Sequence, residues 1–264
     1  MRKFLPFVKK PPFVPVIRLQ GQIGAGARAL NDAGLAPLIE RAFTRGRPAA
    51  VALVINSPGG SPAQSALIAA RIRRLADQKK IPVHAFVEDV AASGGYWLAC
   101  AADDIQVDAS SILGSIGVIS SGFGFHELIA RHGIERRVHT AGRSKGFGDP
   151  FRPETEADVA RIEALLGPLH ENFIAWVKAR RGAKLAEGAD LFNADIWLGA
   201  RAVELGLADG LAHLQPFLEA RYGAKLRLQP LGRKKGLLNR FGLALAEESM
   251  ASIEERVMMS RYGL

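Results

Sequence analysis

A chain of 264 residues with 48% hydrophobic content and a mean hydropathy of +0.07 is long enough for one large domain or two small ones, and too apolar to be a disordered protein. Its 35 lysines and arginines against 26 acidic residues give a formal charge of +9, which suits an anionic partner such as a lipid surface or nucleic acid, or is simply a solvated basic exterior. The single cysteine, Cys100, excludes an intrachain disulfide framework and a cysteine metal cluster, and no stretch reaches the roughly 18–20 continuous apolar residues of a membrane span.

Residues 1–13 mix Arg2, Lys3, Lys9 and Lys10 with Phe4, Phe7 and Phe13. They read as a basic flexible segment, able to lie on an anionic membrane, and resemble neither a signal peptide nor a spanning helix. Residues 14–19 read as a strand closed by Gly21, and 35–43 as a helix with Leu35, Leu38, Ile39 and Phe43 on one face. The apolar run 50–55 has the pattern of a strand buried on both faces of a parallel sheet. It stops at Asn56-Ser57-Pro58-Gly59-Gly60. Ser61, Pro62 and Gln64 then supply an N-cap, a first-turn proline and the third member of a capping box for a helix that turns Leu67, Ile68, Ile72 and Leu75 inward. A strand at 82–87 completes a βαβ unit with its right-handed crossover. Two successive strands therefore end on one sheet edge, the edge at which parallel sheets bind ligands.

The second of these strands runs into Ala92-Ser93-Gly94-Gly95-Tyr96, with a helix expected over 94–102. Ser93 then sits at a strand-to-helix corner, its hydroxyl beside N–H groups that have no partner inside the helix. An acyl-transfer nucleophile needs such a setting, although Ser-Gly-Gly taken alone is more often a tight turn. Further on come a strand at 104–107, a glycine-broken loop and strand at 112–119, a helix at 125–132 stopped by Gly133, and a strand at 135–140. A glycine- and proline-rich loop at 141–153 precedes a long amphipathic helix at 154–180, kinked at Pro168, and short helices at 200–206 and 215–222. Beyond Lys225 the chain reads either as a basic amphipathic helix or as a solvated basic tail.

Four stretches in order, Ile55-Asn56-Ser57-Pro58-Gly59-Gly60, Ala92-Ser93-Gly94-Gly95-Tyr96, Leu113-Gly114-Ser115-Ile116-Gly117-Val118 and the loop from Lys145 to Pro150, together resemble the signal peptide peptidase A family of serine peptidases. That family lies within the Clp-protease/crotonase-like superfamily. The resemblance covers residues 14–215 and implies an α/β fold of repeated ββα units, with a largely parallel sheet flanked by helices. It divides the chain into the basic segment 1–13, a serine peptidase domain 14–215 and a basic helical extension 216–264. By the same resemblance Ser93 is the nucleophile, Lys145 the general base, Ser115 the residue that positions the lysine, and Gly60 and Gly94 the oxyanion donors. The Asn56 to Gly60 stretch, Gly59 included, is implied to be a rail on which the substrate backbone adds as a strand. Neither a cofactor nor a metal is implied. The implied substrates are extended, largely apolar peptides such as released signal peptides, cut by a ring-like homo-oligomer in which Ser93 of one subunit meets Lys145 of its neighbour. Peripheral contact with an anionic membrane is expected and nucleic-acid binding is not. The sequence shows neither a cleavable signal nor the family's usual anchor, and leaves the location open, with a peripheral membrane or cytoplasmic one as the expectation.

A lysine amine with the ordinary pKa near ~10.4 is protonated at neutral pH, so a lysine base requires burial without a carboxylate partner. Asp149, four residues from Lys145, is therefore expected to point elsewhere. Histidine alternatives are weak: His84 begins the strand that feeds Ser93, at the opposite sheet edge, and His139 precedes the lysine loop. No His/Cys/carboxylate cluster has ligand spacing, and the glycine-rich stretches lack a Walker ending. Two other classes stay open. One is a crotonase-like acyl-CoA hydratase or thioesterase that uses a two-donor oxyanion geometry without a serine nucleophile; the other is a non-enzymatic membrane- or nucleic-acid-binding scaffold driven by the +9 charge.

Overall fold

The structure, a computed structural model, describes residues 11–26, 29–142, 144–232 and 259–263. Most of the expected basic N-terminal segment, and the expected amphipathic helix after residue 236, lie outside the described residues. The chain divides into two compact units, Gly117–Phe173 and the remainder.

The larger unit is built on one sheet. Strands β1 (Phe13–Gln20), β2 (Val51–Ser57) and β3 (Val83–Ala92) pair side by side in parallel, and β4 (Asp104–Val107) and β5 (Ile112–Gly114) both pair with β3. A short strand β6 (Ile196–Leu198) joins β5 antiparallel, β7 (Gly210–Leu211) joins β4, and β8 (Arg227–Leu231) joins the outer edge of β1. The order is β6-β5-β3-β2-β1-β8. The expected mostly parallel α/β sheet is thus present. Residues 216–231, expected within the C-terminal extension, complete a helix and supply β8 to this sheet.

Local chemistry explains each connection. In β2 every residue but Asn56 is buried, because the strand is covered on both faces. Helix α1 (Asp32–Thr44) starts where the Asn31 side chain accepts the Gly34 N–H at 2.8 Å, and it buries Leu35, Leu38, Ile39, Ala42 and Phe43. Helix α2 (Pro62–Lys79) is capped by Ser61. The capping box is only half made: the Gln64 side chain accepts from Asp32 N–H at 2.9 Å instead of returning to Ser61. Leu67 faces solvent, 50% exposed, contrary to expectation, since the buried stripe runs through Ser65, Ile68, Ala69, Ile72, Leu75 and Ala76 and leaves residue 67 off the face. A separate cluster of Val14, Val16, Ala52, Val54 and Phe86 packs with Leu218, which a helix late in the chain supplies.

Helix α3 (Gly94–Ala99) follows β3 directly. In the smaller unit a helix α4 (His126–Arg131) is followed by irregular chain. The expected strand at 135–140 is absent. Its residues are exposed, Arg137 pairs with Glu135 at 2.6 Å along the chain, and no neighbouring strand among the described residues supplies ladder bonds. Helix α5 (Glu156–Arg181) begins in this unit, is helical through Pro168, and has its last two turns in the larger unit. Two short helices complete the larger unit: α6 (Gly199–Glu204) and α7 (Leu214–Tyr222), which carries Leu218.

Candidate active site

The site is made by three parallel strands ending together. β2 pairs with β3 as far as Ser57 opposite Ala91, after a register shift between Ile55 and Ser57. β3 pairs with β5 as far as Ala92 opposite Gly114. One residue further, Ser93 and Ser115 turn off the sheet, each with φ 51. Ser93, with ψ −121, is partly exposed, its N–H donates to Gly114 O at 2.8 Å, and its carbonyl accepts the first helical bond from Trp97 N–H at 3.0 Å. A non-glycine residue with such a φ costs on the order of 1–3 kcal/mol, a strain that persists only where the surroundings enforce it. Its side chain caps nothing in α3, so the hydroxyl is not spent on the helix. Ser115 is held by its N–H on Asp195 O at 2.7 Å.

The Asn56–Gly60 stretch wraps this corner. Ser57 Oγ, fully buried, donates to Gly21 O at 2.7 Å and accepts the Gly59 N–H at 3.3 Å, which fixes the turn. Gly59 has φ 101, and a Cβ there would meet Ser93 Cβ at 2.8 Å and Gly94 N at 2.7 Å, so only glycine lets the two backbones come this close. Ile23 N–H donates to Gly59 O and Ser61 N–H to Ile23 O, both at 2.8 Å. In that bridge the N–H of Gly60 is directed away from Ile23. Gly94 opens α3, where the first N–H groups have no helical acceptor. Asn56 donates its amide to Asp89 at 2.5 Å.

Behind the corner, the end of α3 is tied down by side chains from far along the chain. Trp176 Nε1 donates to Trp97 O at 3.0 Å, and Arg180 donates to Cys100 O at 2.8 Å and to Ala102 O at 2.9 Å. Arg73 donates to Ala101 O at 3.1 Å. Tyr96, fully buried, donates its hydroxyl to Leu207 O at 2.8 Å, and burial pushes its pKa well above the ordinary value. Burial likewise pushes the Cys100 thiol up to about 12, as befits a packing residue. Sequence reasoning missed Ser57, Trp176 and Arg180. The last two have only their spacing of four, one turn of a helix, as a local mark.

Ser93, Gly94, Gly59, Gly60, Asn56 and Ser115 thus belong to one unit and one sheet edge. Lys145 belongs to the smaller unit. It is exposed, in a turn where its N–H donates to Gly142 O at 3.1 Å. Asp149 does point elsewhere: its carboxylate accepts from Arg136 at 2.8 Å and from Phe151 N–H at 3.0 Å, and the Arg136 hydrogen bond holds it below the usual carboxylate range. No ion pair joins it to Lys145 among the described residues. His84 lies at the far end of β3, buried, between Asp104 and the Tyr222 hydroxyl, each at 2.7 Å. No metal-holding group of His, Cys, Asp or Glu occurs among the described residues, and no described helix is long and apolar enough to cross a membrane.

A largely parallel sheet flanked by helices, with a strained serine corner at its carboxyl edge, defines the Clp-protease/crotonase-like class of fold. Two solved structures of a "1510-N membrane-bound stomatin-specific protease" share it. One, a serine-to-alanine mutant, aligns with TM-score 0.51 at 17% identity, over 85% of this chain and 99% of that one. The other, a lysine-to-alanine mutant in complex with a substrate peptide, aligns with TM-score 0.50 at 15% identity, over 87% and 95%. The chain belongs to peptidase family S49, whose description matches residues 75–222, more than half of its length. A Brucella abortus protein named "Na(+)/H(+) antiporter NhaA" is 44% identical over 271 residues, 95% of this chain and 37% of that protein. "Probable protease SohB" of Haemophilus influenzae is 32% identical over 211 residues, 78% of this chain and 58% of that protein. The chain therefore spans between about a third and three fifths of these relatives.

Proposed function

We propose that this chain is a serine endopeptidase in which Ser93 is the nucleophile and Lys145 the general base of a Ser-Lys dyad. The observation that carries the reading is the corner itself: Ser93 is kept at a costly φ of 51, with the Gly59–Gly60 turn pressed against it. In the reaction Ser93 Oγ attacks the scissile carbonyl as the Lys145 amine takes its proton. The N–H groups of Gly60 and Gly94 hold the oxyanion. The amine then gives the proton to the leaving nitrogen, and a water deprotonated by the same amine hydrolyses the ester left on Ser93. Ser115 orients the amine.

Substrates of this chemistry are extended, largely apolar peptides, signal peptides released from precursors among them. They add as a strand at the Gly60 end of the Asn56 to Gly60 stretch, since Gly21 and Ile23 occupy one side of it and β3 pairs with the other as far as Ser57. The substrate peptide bound by the stomatin-specific protease supports the class of ligand. Lys145 is exposed on the single chain, whereas a lysine base must be desolvated. A homo-oligomer in which the neighbouring subunit covers Lys145 and brings it to Ser93 supplies that burial. The charge of +9 adds peripheral attraction to anionic membranes.

The test is cleavage of an apolar peptide by wild type, Ser93→Ala and Lys145→Ala. Both variants should lose activity by a factor of about 10⁴ or more. Full activity of Lys145→Ala removes the dyad. Absence of Ser93 labelling by a fluorophosphonate, together with hydrolysis of an acyl-CoA, would favour the hydratase or thioesterase chemistry that needs no serine.

A further inference from the structure

Helix α3 is six residues long, too short to be held by its own hydrogen bonds. It nevertheless carries Gly94 at one end, and the direction of that N–H, turned by the Ser93 ψ, must stay fixed. The final four carbonyls of an α-helix have no helical donor. Here Trp97 O takes the Trp176 indole N–H, and just beyond the helix Cys100 O and Ala102 O take two N–H groups of one guanidinium, that of Arg180. Trp176 and Arg180 lie one turn apart on α5, and the Trp176 ring also stacks on Trp97, with 6.3 Å between centroids and 16° between planes. Arg73 adds a third anchor on Ala101 O, and Asp103 joins the assembly to the start of β3: one carboxylate oxygen accepts from Arg73 at 2.8 Å and lies 3.5 Å from Arg180, and the other accepts from Val83 N–H at 2.8 Å. The rise of α3 is about 9 Å at 1.5 Å per residue, so the clamped end lies a short, stiff rod away from Gly94.

We propose that Arg180 and Trp176 are positioning residues for acyl transfer: by clamping the carbonyl end of α3 they hold the direction of the Gly94 N–H, which is set by the Ser93 ψ of −121, toward the place the oxyanion will occupy. The proposal rests on Ser93 being the nucleophile. A planar fork matters more than charge, because two carbonyls two residues apart are met by one rigid group. Arg180→Lys keeps the cation and loses the fork. Trp176→Phe keeps the stacked ring and loses the indole N–H. Since a misplacement of about 1 Å at a reacting centre costs on the order of 100-fold in rate, small shifts of α3 are read sensitively in kcat.

The experiment measures kcat and KM for an apolar peptide in the full chain, with active sites counted by fluorophosphonate titration and folding followed by thermal melting. Ser93→Ala serves as the control. The expected result for both Arg180→Lys and Trp176→Phe is a kcat per titrated site lowered about 10- to 100-fold with KM within about twofold, the signature of an interaction made mainly in the transition state. Peptide affinity should be the same in Ser93→Ala alone and in Ser93→Ala combined with either substitution. Wild-type kcat per site in both variants overturns the proposal, including the case in which total activity falls only because fewer sites remain folded. Should Arg180→Lys fold poorly, Trp176→Phe alone decides. If Ser93→Ala is itself fully active, the nucleophile assignment fails, which is distinct from an inactive Ser93→Ala accompanied by unimpaired clamp variants.

Discussion

Ser93 donates its backbone N–H to the carbonyl of Gly114 at 2.8 Å, so that Ser93 and Ser115 leave adjacent parallel strands at neighbouring positions, both with φ 51. In the proposed mechanism one of these strained serines attacks and the other orients the base. Replacing Ser115 by Ala should lower kcat about 100-fold, in the range of what a well-placed proton-transfer group contributes. Steady-state kinetics on the peptide substrate checks this, and an unaltered kcat would deny Ser115 the orienting role.

The strain at Ser93 is itself measurable. Ser93→Gly and Ser93→Ala both lack the hydroxyl, but only glycine relaxes a positive φ. Ser93→Gly should exceed Ser93→Ala in stability by about 1 kcal/mol, a difference of roughly 2–4 °C in melting temperature for a chain of this size. Equal melting temperatures would mean that the corner stores no strain.

Gly59 is open to the complementary substitution. An alanine Cβ would sit 2.8 Å from Ser93 Cβ and the residue has φ 101, so Gly59→Ala should destabilise by about 1–3 kcal/mol and abolish cleavage. Melting curves and peptide assays together test this; retention of both stability and activity contradicts the close approach.

Asp209 carries an acid-sensitive part of the stability. Burial opposes its ionisation, but hydrogen bonds from Arg181 and Lys184, both at 2.6 Å, outweigh burial and hold it below the usual carboxylate range. A carboxylate with a depressed folded-state pKa contributes stability that is complete above its unfolded value near ~3.9 and is lost as pH falls through the folded value. Asp209→Asn should therefore melt well below wild type at pH 6, with the gap closing as pH falls below about 4. A gap independent of pH would show that Asp209 acts only through its shape.

Cys100 should resist thiol reagents at pH 8 in the native protein and react fully in denaturant, since burial pushes its thiol up to about 12. Rapid native labelling would show that the α3 region opens readily.

Much of this arrangement is written locally. β2 and β3 announce themselves as apolar runs because both faces are buried, and the glycines after each run mark where the chain must turn tightly, so Ser93 and Gly59–Gly60 stand out before any coordinates are known. The exceptions are long-range. β8 reads Arg-Leu-Gln-Pro-Leu, with no run to betray it, and becomes a strand only because β1 offers it a partner. Residues 135–140 lack such a partner among the described residues and stay irregular. The clamp from Trp176 and Arg180 reaches carbonyls about 80 residues away, a relation that no local pattern encodes. Lys145 is marked by its glycine-rich loop, but its exposure on the single chain depends on packing that composition does not report.

The position of β8 has a consequence for biogenesis. Among the described residues, the outer edge of β1 is covered by residues 227–231 alone. During ribosomal synthesis β1 can dock on β2 early, yet its other side stays unpaired until the segment that forms β8 has emerged. Open strand edges recruit other strands, so the nascent protein passes through a stage at which it is prone to associate wrongly. A stop codon placed before residue 227 would fix that stage permanently, yielding a polypeptide that retains the serine corner but carries an adhesive edge.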